Sequence, residues 1–215
     1  EIMILTIGGD AASKGSNEVM QALAIIDKDV PSWKYVCKVW PQPRTSLQNQ
    51  FDQDLAKKLG ISEKVIYATN TISREFMPYL MGACDIYAAP SRLEGFGMPQ
   101  VEAGACGKPV IGIRAMGMLD TLVHGETALL ARVGKQIVVD SVILGPESGY
   151  ELNHLLKFDI PRTVDYRADI RDVADGLLAL MQDSDLRSVM GAAGRKRVEE
   201  HFDYIVVARR FVKII

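Results

Sequence analysis

Cysteine is scarce in this chain, and charge imbalance, long apolar runs and metal-ligand spacings are missing. The three cysteines, Cys37, Cys84 and Cys106, stand far apart among apolar or small residues, with no C-x-x-C pair. An odd, dispersed set of thiols excludes a disulfide framework and a cysteine-ligated zinc site. Buried free thiols in a reducing compartment, and hence a cytoplasmic protein, are expected. Lys and Arg number 25 against 27 Asp and Glu, a formal net charge of -2. There is therefore no broad basic field to gather nucleic acid or an anionic membrane, and any phosphate-bearing partner must be held by local groups. No stretch approaches the roughly 18 uncharged apolar residues of a membrane span. His124, His154 and His201 form no metal-ligand spacing, and no metal site is expected. A charged leader with an apolar stretch and a cleavage site is absent too. The chain runs from Glu1 straight into Ile2-Met3-Ile4-Leu5, which reads as a cut through a longer protein. No internal repeat or low-complexity tract is present.

What the chain does have, over 215 residues, is the length and apolar share of one well-buried α/β domain. The short apolar runs Met3–Ile7, Lys34–Trp40, Lys64–Ala68, Asp85–Ala89, Pro109–Ile113 and Thr127–Ala131 each read as strands and alternate with stretches of helical length. That rhythm predicts a doubly wound parallel sheet covered by helices on both faces, a Rossmann-like fold. Between 133 and 163 the rhythm breaks: Gly134, Gly145, Pro146, Gly149 and Pro161 surround the run Ile137–Leu144, which reads as an insertion of hairpin type. Three helical patterns follow, Asp169–Asp183, Ser184–Phe202 and Tyr204–Ile215, the last making 203–215 a C-terminal helix.

Chemistry concentrates in Pro90-Ser91-Arg92-Leu93-Glu94-Gly95-Phe96-Gly97-Met98-Pro99-Gln100-Val101-Glu102, which follows a strand and opens a helix. Gly95 and Gly97 allow the backbone to approach a ligand, and Pro99 suits a first helical turn, where its missing N–H costs nothing. The amides freed at such a helix start point towards any diphosphate or sugar hydroxyl placed there. Glu94 lies in the loop and Glu102 about one turn into the helix, so both carboxylates can serve one ligand. A bland alternative is that Ser91-x-x-Glu94 is a capping box. It would put two glycines into the first turns of the helix at about 1 kcal/mol each.

Glu94 and Glu102, with seven residues between them that include Gly-Phe-Gly-Met-Pro, resemble the E-x7-E signature of family 4 (group 1) retaining glycosyltransferases. So do Cys84-Asp85-Ile86-Tyr87 before the motif, Ala105-Cys106-Gly107-Lys108-Pro109-Val110-Ile111 after it, Gly125-Glu126-Thr127-Ala128-Leu129-Leu130 and the ending His201-Phe202-Asp203-Tyr204. The resemblance implies the C-terminal, donor-binding domain of a GT-B enzyme. It implies that the domain binds a UDP-, GDP- or ADP-sugar, without cofactor, and transfers the glycosyl group with retention. Glu94 would contact the donor sugar and Glu102 the ribose. Backbone around Gly95, Phe96, Gly97 and Met98 would line the donor, and Asn70 to Ile72 would meet the base. In the first turn, Ile7-Gly8-Gly9-Asp10-Ala11-Ala12-Ser13-Lys14-Gly15, Gly8 and Lys14 match the family pattern, whereas Gly9 stands where the family has an arginine.

In the family that arginine and lysine together neutralise the departing diphosphate, so Lys14 and Glu94 are the expected catalytic pair and the cation lost at Gly9 calls for a substitute. Arg92 or Arg114, both near strand ends, is placed to supply it by swinging into the vacated space, the alternative and commoner fate being that both are solvated surface arginines. The acceptor site would belong to an N-terminal domain to which nothing here corresponds, so the isolated domain is expected to bind donor and turn over poorly. The alternative is a non-catalytic nucleotide-sugar-binding or partner subunit. A dinucleotide-binding domain is disfavoured, because the first turn has no G-x-G-x-x-G.

Overall fold

A computed structural model of the chain describes residues 1–8, 12–39, 46–161 and 163–213. The apolar run Ile2–Ile7 forms β1, whose central Ile4 and Leu5 are fully buried, as a parallel strand covered on both faces requires. With β2 (Trp33–Lys38), β3 (Val65–Ala68), β4 (Ile86–Ala88), β5 (Val110–Ile113) and β6 (Ala128–Ala131) it builds a six-stranded sheet of order β3-β2-β1-β4-β5-β6. Every pairing within that sheet is parallel. All six expected runs are therefore strands. The second ends at Lys38, and Trp40 lies outside the described residues.

The helices are α1 (Ser16–Ile26), α2 (Ser46–Lys58), α3 (Met77–Ala83), α4 (Met98–Ala105), α5 (Met118–Thr121), α6 (Ile170–Gln182), α7 (Ser184–His201) and α8 (Tyr204–Val212). α1 packs on α2 and α6, while α4 packs on α3 and α7. These are the two helical layers that right-handed crossovers generate when a sheet is wound in both directions. Val19, Met20 and Leu23 of α1 join Val173, Leu177 and Leu180 of α6 against the buried strands. Sequence-encoded caps set the later boundaries: Asp169, Asp183 and Asp203 each accept backbone N–H groups at the starts of α6, α7 and α8.

Between the sheet and α6 the chain runs out and back as β7 (Val133–Val139), β8 (Ser141–Leu144), β9 (His154–Lys157) and β10 (Thr163–Ala168). β7 pairs antiparallel with β10, and β8 with β9. The hairpin's last strand reaches Ala168, beyond the 163 at which the sequence rhythm resumes, because Thr163-Val164-Asp165-Tyr166 alternates in a way that only its partner β7 identifies as a strand. Cys37 and Cys84 are buried and Cys106 half-buried, all with free thiols. Burial pushes the Cys37 and Cys84 thiols up to about 12. Among the described residues no helix is long and apolar enough to cross a membrane.

Candidate functional site at the switch point of the sheet

Strand order reverses between β1 and β4, the switch point at which the loops leaving the C-terminal ends of such a sheet diverge to form a ligand crevice. After β1, Gly8 donates to the Lys38 carbonyl, and a 3-10 turn over Ala12–Lys14 leads to Gly15 and α1. Gly15 has φ 84°, and a Cβ there would lie 2.5 Å from the Pro90 carbonyl oxygen and 2.8 Å from its Cγ. Only glycine lets the first turn lie directly on the loop that follows β4. That contact and the Arg92 N–H donated to Ser13 O at 3.0 Å bring two parts of the chain together. As a result Lys14 Nζ stands 2.7 Å from Glu94 Oε2, with side-chain exposures of 22% and 13%.

The other oxygen of Glu94, Oε1, accepts the Gly97 N–H at 3.1 Å. Gly97 is left-handed at φ 88° and immediately precedes α4, with Pro99 in the first turn. The helix thus begins at Met98, and the capping-box alternative at Ser91 is not adopted. Ser91 is fully buried, donating to Ala89 O at 3.5 Å and accepting from Gln100 Nε2 at 3.3 Å. Gly95, Phe96 and Met98 are exposed at the crevice, and Phe96 meets Phe202 edge to face at 5.7 Å. The amide of Gly97 is therefore already engaged by Glu94, whereas among the described residues the Phe96 N–H has no partner.

Glu102 lies exposed on α4, and among the described residues its carboxylate has no hydrogen-bond partner. Partial burial holds its carboxyl above the usual range, opposed by Arg74. Arg74 stands two residues beyond Ile72, in the loop where Asn70 is exposed and Ile72 half-buried, which ties that loop electrostatically to Glu102. Tyr87 of β4 is fully buried. Its phenol is raised first by burial and then by Cys84, Glu102 and Glu94, and its hydroxyl lies 3.4 Å from the Ile7 carbonyl. Gly9 lies outside the described residues.

Neither arginine considered as a substitute for the lost cation is turned towards the first turn. The Arg92 guanidinium is 12% exposed and bidentate on Glu18 of α1, with Nε to Oε1 at 3.3 Å and Nη2 to Oε2 at 3.1 Å. Arg114 follows β5 and lines a separate cavity of about 400 Å³ with His124, Arg132 and Asp172. The reason is topological: α1 presents Glu18 beneath the loop after β4, and a buried guanidinium stays with the carboxylate that compensates it.

Sequence reasoning missed three supports. Arg167 Nη1 reaches Glu18 at 3.6 Å, and the Tyr166 N–H donates to Arg92 O at 2.9 Å, so the hairpin's last strand braces the loop that carries Glu94. Gly117 lies so close that a Cβ would stand 2.1 Å from Gly95 O, and its N–H donates to Glu94 O at 3.2 Å. Met116, with φ 55°, delivers Gly117 to that position. The only local signal was the Met116-Gly117-Met118 run after a strand.

The profile of the family described as Glycosyl transferases group 1 matches residues 1–143. This chain belongs to that glycosyltransferase family. It is 26% identical over 202 residues to an N-acetyl-alpha-D-glucosaminyl L-malate synthase of Bacillus anthracis, covering 94% of this chain and 42% of that protein. It is 31% identical over 132 residues to an MMP alpha-(1->4)-mannosyltransferase of Mycolicibacterium hassiacum, covering 60% of this chain and 30% of that protein. The chain spans less than half the length of either relative. Among solved structures it resembles the C-terminal domain of the group 1 glycosyl transferase LpcC of Francisella tularensis, with TM-score 0.69, 22% identity, and coverage of 94% of this chain and 87% of that one. It also resembles Anabaena Alr3699/HepE in complex with UDP, with TM-score 0.74, 18% identity, and coverage of 100% and 48%. The fold of this glycosyltransferase domain is thus the Rossmann-like C-terminal domain of the GT-B type.

Proposed function

We propose that this domain holds the nucleoside-diphosphate sugar of a retaining hexosyltransferase. The observation that carries this reading is the chain of contacts from Lys14 through Glu94 to the Gly97 N–H, built across the switch point of the sheet, with Glu102 on the helix that Gly97 opens. Likeness to a protein solved in complex with UDP supports a nucleotide ligand.

On entry of the donor, its diphosphate offers Lys14 a stronger anion than Glu94, and the charge that develops on the leaving group is stabilised by a cation already in place. Glu94, released from Lys14, accepts from hydroxyls of the sugar, while Glu102 accepts from the ribose and the 70–72 loop faces the base. Retention follows if the acceptor attacks from the face that the diphosphate leaves. The acceptor itself would sit on a facing domain, whose closure excludes water and aligns the two substrates. This scheme uses no metal and no cofactor.

Thermal unfolding with UDP-, GDP- and ADP-sugars tests the reading. A donor at a hundredfold excess over its Kd stabilises by about 2.7 kcal/mol. That is a shift of roughly 5 to 10 °C for a domain of this size. The shift should disappear in Lys14→Met and shrink strongly in Glu102→Ala; equal shifts in both variants and wild type would refute the assignment. A second reading, a nucleotide-sugar-binding subunit without transfer, is favoured by one observation: Arg92, the nearest candidate to replace the arginine lost at Gly9, is committed to Glu18. Gly9→Arg in an enzyme with its acceptor domain separates the readings, since a large gain in turnover supports the inactive site and an already active wild type removes it.

A further inference from the structure

A second cavity, of about 790 Å³, opens between α1, the root of the hairpin and the start of α6. Its wall includes neither Lys14 nor Glu94 nor Glu102. Basic groups from four places converge on it: Arg92 from the loop after β4, Lys135 from β7, Arg167 from β10 and Arg171 from the first turn of α6. The acids near these groups are engaged except at one oxygen, Asp165 Oδ1. Glu18 holds Arg92 and Arg167, Asp165 holds Arg167 at 2.6 Å, and Asp169 caps α6 through the N–H groups of Arg171 and Asp172. Lys135 and Arg171 remain, with no side-chain partner among the described residues. Arg171 also sits at the positive end of a helix dipole, where a cation is disfavoured unless an anion is close by. Beside their ion pair, Arg167 Nε and Asp165 Oδ1 are each buried without a hydrogen-bond partner.

We infer that this cavity is a binding site for the phosphate group of a soluble phosphorylated small molecule, separate from the donor site. Arg171 and Lys135 supply the charge-assisted contacts, and the Gln21 amide in the same wall faces the remainder of the ligand. The volume suits a molecule of sugar-phosphate size.

Inorganic phosphate, titrated at constant ionic strength while backbone amides of the full chain are followed by NMR, should shift Asn17, Gly134 and Arg171 saturably. Lys135→Ala/Arg171→Ala removes two side chains without partners, so its thermal unfolding should match wild type. Its phosphate affinity should fall about tenfold or more for the charge-assisted hydrogen bonds lost. Lys14→Met should leave these shifts in place. Glucose 6-phosphate should bind more tightly than phosphate, and glucose should not bind. Vesicles of phosphatidylcholine with phosphatidic acid should leave the protein in solution. The inference is overturned by shifts that do not saturate, by wild-type affinity in the double variant, by loss of the shifts in Lys14→Met, by glucose binding as well as its phosphate, or by vesicle binding that the double variant abolishes.

Discussion

Replacing Gly117 by alanine isolates the contribution of the loop that carries Glu94. Gly117 has φ -59° and ψ -13°, a conformation that alanine prefers. On backbone grounds alone, Gly117→Ala should therefore stabilise by about 0.4 to 1 kcal/mol through the unfolded chain. The tertiary structure reverses that sign. The new Cβ would stand 2.1 Å from Gly95 O, 2.5 Å from Gly95 C and 2.7 Å from Phe96 N, and ordinary contact begins near 3.4 Å, so the loop must retreat by about 1.3 Å. Such overpacking costs about 1 to 3 kcal/mol. Weakening of the Gly117 N–H to Glu94 O bond adds about 1 kcal/mol. The net expectation is a loss of about 1 to 3 kcal/mol, lowering Tm by roughly 3 to 10 °C. Because the retreat displaces Glu94 from Lys14, donor affinity should fall by about tenfold or more as well. Gly82→Ala is the control: Gly82 lies within α3 and a Cβ there meets nothing within 4 Å, so it should raise Tm slightly through the unfolded chain alone and leave donor binding near wild type. Calorimetric unfolding and donor titration on both variants decide the matter. A Gly117→Ala protein that is more stable than wild type, or that binds donor unchanged, refutes the reasoning.

Two further expectations follow from the same geometry. Glu18→Gln removes the charge that compensates Arg92, whose side chain is 12% exposed; a buried pair broken on one side costs about 3 to 5 kcal/mol, to be read from denaturant unfolding. In the proposed donor site an ionised Glu102 accepts from the ribose hydroxyls, and partial burial, opposed by Arg74, holds its carboxyl above the ordinary glutamate range. As pH falls, donor affinity should therefore drop before an ordinary glutamate would protonate. Donor titrations across the acidic range should show that drop vanish in Glu102→Gln, and an identical pH profile in the variant would remove Glu102 from the donor site.

Local patterns were enough for the sheet, the helix starts and the identity of the acidic loop. A parallel strand buried on both faces must be apolar throughout, as Ile4 and Leu5 or Ile111 and Ile113 are, and a helix start needs an oxygen such as that of Asp169 within a few residues. The left-handed Gly97 and the following Pro99 likewise act within one turn of chain. These signals operate over neighbours, where spacing along the sequence equals spacing in the molecule.

What only the tertiary structure decided is which distant groups meet. Lys14 and Glu94 are 80 positions apart, and Arg92 and Glu18 are 74 apart. Their pairing depends on β4 returning beside β1 and on Gly15 lying against Pro90. Residue type announces that a lysine or an arginine wants an anion, but several carboxylates are always on offer, and closure of the fold selects one. That selection gave Lys14 to the crevice and Arg92 to α1, and it turned the hairpin's last strand into a brace for the loop that carries Glu94.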